Sequence, residues 1–105
     1  MLETFVLQEL RRQSTANADP VEFYHYRDRD DYEVDIVIEG GGVIAGVEVK
    51  AASTIKESDL RGLRKLQTMA GKRFACGVVL YDGSATIRFG KSLYAVPIRK
   101  VWEST

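Results

Sequence analysis

Two periods of apolar residues alternate along the chain. From Leu2 to Gln13 the apolar positions Leu2, Val6, Leu7 and Leu10 fall within one helical arc with Phe5 at its edge, which predicts an amphipathic helix. Glu3 projects inside that arc, while Arg11 and Arg12 lie mostly outside it. The polar breaker STANADP follows, and then VEFYHYR and YEVDIVIE read as two strands joined at the hairpin tip RDRDD. A third strand, VIAGVEVK, comes directly after the glycines Gly40, Gly41 and Gly42. Thr54 and Glu57 match a capping box that opens a second helix through Leu60, Leu63, Leu66 and Ala70, ended by Gly71. FACGVVLY is a buried strand, DGSA a turn, TIRF and SLYAVPI short extended pieces, and RKVWE a closing helical turn. The predicted order is α-β-β-β-α-β-β, an α/β domain with a mixed sheet flanked by helices.

The third strand departs from a plain core pattern. Val43, Ala45, Val47 and Val49 share one face, whereas Ile44, Gly46, Glu48 and Lys50 share the other. A carboxylate and an amine on a half-apolar face are costly to bury unless they are partnered. If residues 39 to 42 form the loop, Ile38 falls opposite Val43 and Asp35 opposite Gly46, a diagonal neighbour of Glu48, with Glu33 straight across from Glu48. Facing carboxylates destabilise one another unless a cation stands among them. A slip of one residue in this register would undo the arrangement.

Composition narrows the class. The 105 residues form one small domain, 45% hydrophobic and 29% charged, with no apolar run long enough to span a membrane. The single Cys76 forms no internal disulfide, and no secretory signal pattern begins the chain, so a cytoplasmic protein is expected. Net charge is zero, yet the signs are segregated. Acids gather at Asp28, Asp30, Asp31, Glu33, Asp35 and Glu39, and bases at Lys56, Arg61, Arg64, Lys65, Lys72 and Arg73. A calcium loop of the EF-hand type is excluded at the hairpin tip, because Glu33 stands where the required glycine would be.

Glu3 on a helix, Asp35 on one strand and Glu48-x-Lys50 on the next are the parts of a metal-dependent phosphodiesterase. Magnesium or manganese prefers oxygen ligands and would neutralise phosphoryl charge, and an ammonium beside the ion would orient the attacking water. Glu3 has a second reading as an acid favoured by the dipole of the first helical turn. His25 reads either as a site member or as an ordinary strand residue.

In order along the chain, LETFVLQEL, FYHYRDRDDYEVDIVIE, GVEVKAAST, SDLRGLRKL, GVVLYDG and LYAVPI resemble the DUF4143 domain that ends bacterial and archaeal AAA-type ATPases. D-I-V-I-E with G-V-E-V-K also resembles the PD-(D/E)XK nuclease superfamily, although the proline of its first motif is absent. The resemblance implies a restriction-endonuclease-like α-β-β-β-α-β core and makes residues 1–105 the C-terminal part of a larger ATPase. It also implies an endonuclease-like activity on DNA with magnesium or manganese, in which Asp35, Glu48 and Glu3 hold the metal and Lys50 is the catalytic lysine. Glu33 and Gln67 are candidates just behind the ligands, Gln67 having a second reading as core cover. Arg11, Arg12, Arg61, Arg64 and Lys65 are candidates for contact with nucleic acid, although a basic helical face is also often simply solvated. The alternative is a non-catalytic module of the same fold that binds nucleic acid or protein. No P-loop pattern occurs in the chain.

Overall fold

The structure, a computed structural model, describes residues 20–103, and for Trp102 and Glu103 the backbone alone. The predicted first helix, with Glu3, Arg11 and Arg12, lies outside the described residues. Among those described, six strands form one mixed sheet: β1 (Glu22–Arg27), β2 (Glu33–Gly40), β3 (Val43–Lys50), β4 (Phe74–Tyr81), β5 (Ile87–Arg88) and β6 (Leu93–Pro97). Helix α1 (Arg61–Ala70) connects β3 to β4, and a short turn of helix, α2 (Lys100–Glu103), follows β6. The strand order is β1-β2-β3-β4-β6-β5. β1, β2 and β3 are antiparallel neighbours, β3, β4 and β6 run parallel, and β5 closes the edge antiparallel to β6. This is a mixed α/β fold. No helix among the described residues is long and apolar enough to cross a membrane.

Both faces of the sheet are apolar, for different partners. Val34, Val37, Val79 and Leu93 pack with Leu60, Leu63 and Leu66 on the α1 side. Ile36, Val47 and Leu80 pack with Val101 of α2 on the other. The strand β3 divides as its alternation predicts, with Ile44 joining the α1 cluster and Val47 and Val49 the opposite one. Its charged face therefore lies under the helix. Gly46 lets the helix descend, since a Cβ there would stand 2.7 Å from Leu63 Cδ2 and 2.8 Å from Leu66 Cδ2.

The β2–β3 hairpin is tighter than expected. Its strands run to Gly40 and Val43, which pair directly, so the loop is only Gly41 and Gly42. Both have positive φ, 61° and 81°, the conformation of a two-residue hairpin turn that glycine adopts without strain. The predicted pairing of Ile38 with Val43 is thus replaced by Ile38 with Ala45, and Gly46 faces Val37 instead of Asp35. Because the difference is two residues, the side chains from Ile36 to Gly40 stay on their predicted faces.

A second departure is a bulge. Tyr24 pairs with Val37 and Tyr26 with Val34, so two steps along β1 match three along β2. The extra residue falls within Asp35 and Ile36, and it explains how Val34 and Val37, three apart, both reach the α1 cluster. The ring of His25, opposite the bulge, places Nδ1 3.3 Å from the Asp35 carbonyl oxygen and Nε2 3.1 Å from Glu33 Oε1.

The start of the second helix also differs. Residues Glu57–Leu60 form a tight single turn before α1, and the acid that reaches back is Asp59, whose Oδ2 accepts the Lys56 N–H at 2.8 Å. Glu57 instead accepts a bond from Arg64 Nε at 2.5 Å. The helix ends as predicted at Gly71, with φ of 58°.

Gly62 presses the first turn of α1 onto β2. A Cβ at this position would lie 2.0 Å from the Glu33 carbonyl oxygen, a backbone atom that cannot rotate away. Gly62→Ala is expected to lower stability by about 3 kcal/mol, because the helix must lift from the sheet, a change read as a lower midpoint in urea unfolding.

Candidate functional site

The side chain of Glu48 lies between β3 and the start of α1. A Cβ on Gly62 would come within 3.4 Å of Glu48 Oε1, and that oxygen is buried with no hydrogen-bond partner. A buried acceptor without a donor costs on the order of 1–3 kcal/mol, and more when charged. Burial therefore pushes the Glu48 carboxyl up to about 8, with the nearby charge of Asp35 and then Glu33 adding to the rise. Its proton is the cheapest partner available.

Asp35 sits beside it for a local reason. At the bulge its carboxylate turns to the neighbouring strand, where Oδ2 accepts the Val49 N–H at 2.8 Å. This anchors the carboxylate next to Glu48. Glu33, half exposed, is held by His25. Together with Tyr32, Ser58, Asp59, Arg61 and Gly62, Glu33 and Glu48 line a polar pocket of about 200 Å³.

Lys50 lies at the end of the same strand face and makes an ion pair with Asp59, Nζ to Oδ1 at 2.9 Å. Asp59 is well covered, and the Lys56 N–H followed by Lys50 hold its carboxyl below the usual carboxylate range. The ammonium is thereby tethered to the turn that opens α1. Gln67 does not line the pocket; its Nε2 donates to the Lys91 carbonyl at 2.9 Å. Arg64 is also committed, to Glu57 and to the Phe89 carbonyl at 3.0 Å. Arg61 and Lys65 lie against the Tyr32 ring, at 4.8 Å and 5.1 Å from its centroid, so aromatic π density and two cations form one wall beside the pocket.

The donors present are oxygens, which suits magnesium or manganese in kind. In number they are few. Among the described residues no group of three or more His, Cys, Asp or Glu side chains is placed to hold a metal ion. Glu48, with its unspent buried oxygen, and the adjacent Asp35 match the one or two carboxylates through which magnesium is usually bound, water supplying the remaining positions.

Sequence reasoning did not identify Asp59, Tyr32, Ser58 or Gly62 as members of this region. Gly62 carried a signal, since an isolated glycine inside an amphipathic helix marks a close approach. The pairing of Asp59 with Lys50 carried none, because it joins two elements across a loop.

A family model described as "Domain of unknown function (DUF4143)" matches residues 1–101. No protein of curated function matches the chain.

In the metal-free protein the folded state keeps the Glu48 proton over a range in which the unfolded chain releases it. The corresponding stability is complete below the ordinary value of 4.5 and is lost as pH rises to about 8. Urea unfolding at a series of pH values should show this decline, and Glu48→Gln should flatten it.

Proposed function

The chain belongs to the DUF4143 family, and from its carboxylate site we propose that it is a metal-dependent endonuclease-like domain of the PD-(D/E)XK type, hydrolysing phosphodiester bonds in DNA. The observation that carries this reading is the buried Glu48 oxygen without a partner, next to Asp35 and opening onto a polar pocket. A group so placed costs stability in the free protein, and a divalent cation offsets that cost.

Glu48 and Asp35 would hold magnesium or manganese, with Glu3 as the predicted further ligand. Such an ion, when bound, supplies charge neutralisation at the phosphoryl oxygens and a more acidic water. The chain's own residues do the rest. Asp35, fixed by the Val49 N–H, keeps the carboxylate pair in register. Lys50, reached from the same strand face, orients the attacking water and stabilises charge growing on the phosphate once its contact with Asp59 loosens. Arg61 and Lys65 beside Tyr32 bind flanking phosphates. The restriction-endonuclease-like core and attachment to an upstream AAA-type ATPase belong to the same proposal and rest on the order of the sequence motifs, and action in the cytoplasm rests on the single Cys76, which forms no internal disulfide.

The ion pair of Lys50 with Asp59 favours a second reading, a module of the same fold that binds nucleic acid without cutting it. One experiment separates the two. The purified chain with magnesium or manganese should nick supercoiled plasmid, and Glu48→Ala should reduce the rate by about 100-fold or more. Cleavage that is absent, or that survives chelation, removes the catalytic reading, and DNA binding retained in that case supports the second.

A further inference from the structure

Three cavities on the α1 side adjoin, each sharing lining residues with the next. The pocket over Glu48 shares Tyr32 and Arg61 with a cavity of about 300 Å³ that Arg64, Lys65 and Thr68 also line. In the other direction it shares Ser58 and Asp59 with a larger cavity of about 540 Å³, walled by Lys50, Ser53, Thr54 and Lys56. The charge along this path alternates. Cations line one end, carboxylates the centre, and two lysines with three hydroxyls the far end, where the one acid, Asp59, already accepts bonds from Lys50 and the Lys56 N–H.

A ligand that follows the path must carry negative charge at both ends and tolerate an acidic middle. A strand with regularly repeated phosphates meets that requirement, because its central phosphate can share a divalent cation with the carboxylates while its neighbours reach ammonium and hydroxyl donors. An acidic peptide would place its own carboxylates against Glu48 and Glu33. We propose that Ser53, Thr54 and Lys56 form a phosphate subsite on a polynucleotide strand that passes over Glu48 and continues beside Tyr32 to Lys65. This rests on the nucleic-acid reading above and sharpens it. The strand carries phosphates on both sides of the position over Glu48, so that position takes an internal linkage and not a chain end.

The test measures binding separately from cleavage. In the Glu48→Gln chain, the affinity for a fluorescent single-stranded oligonucleotide is followed by anisotropy over a series of salt concentrations. Lys56→Ala and Lys65→Ala, at opposite ends of the path, should each weaken binding several-fold and reduce the slope of log affinity against log salt by roughly one unit. Thr54→Ala should weaken binding by less, leaving the slope unchanged. Lys56 and Thr54 are exposed, so the fold tolerates both changes. An unaltered affinity and slope in Lys56→Ala, no measurable binding, or competition by polyglutamate as effective as by oligonucleotide would each overturn the proposal. Loss of metal-dependent plasmid nicking with both salt slopes still lowered removes catalysis and leaves the subsite. Nicking that persists with an unaltered Lys56→Ala slope does the reverse.

Discussion

The burial of Glu48 Oε1 under the first turn of α1 is the constraint around which the described structure is arranged. Gly62 brings the helix onto the Glu33 carbonyl and close over Glu48 Oε1, which is left without a hydrogen-bond partner, while Gly46 lets Leu63 and Leu66 close the same face further along. The helix thus gains its apolar contacts by covering an acid. A chain selected only for stability would place an apolar side chain at this position. Retaining the acid sets a price in stability that a bound cation can offset.

The surrounding polar groups make sense as consequences of that burial. The bulge in β2 turns the Asp35 carboxylate to the Val49 N–H, and His25 contacts both the bulge carbonyl and Glu33. Lys50 does not neutralise Glu48; it pairs with Asp59, which also caps the turn leading into α1. Strand end, turn and helix start are therefore linked through one carboxylate. The acid-rich hairpin and the base-rich helix meet at Tyr32, where Arg61 and Lys65 hold positive charge next to the carboxylate pocket without filling it.

Much of the fold was legible because periodicity reports which face of an element is apolar. The strands β1 to β4, helix α1 with its stop at Gly71, and the placement of Glu48 and Lys50 on the face opposite Val47 and Val49 all follow from alternation and from glycine positions. Face assignment next to the hairpin loop survived an error there because that error was even, two residues, and side chains alternate with period two, but beyond the bulge Val34 shares the face of Val37 against that alternation. The candidate carboxylates Asp35 and Glu48 were expected as neighbours across the hairpin and are adjacent, though through the bulge and not through the predicted register. The predicted positions of Glu3, Arg11 and Arg12 fall outside the described residues.

Residue types and local spacing determined by themselves that this chain forms strands and a helix of defined faces, with acids and a lysine on the one face a core strand would not leave charged. Tertiary structure alone decided the bulge at Asp35, the close approach at Gly62, the tether of Lys50 to Asp59 and the meeting of three cavities along one path. The reason is physical. Periodicity is a property of neighbours along the chain, whereas burial of a carboxyl and the partner of an ammonium depend on which distant element packs over them, and no local pattern encodes that distance.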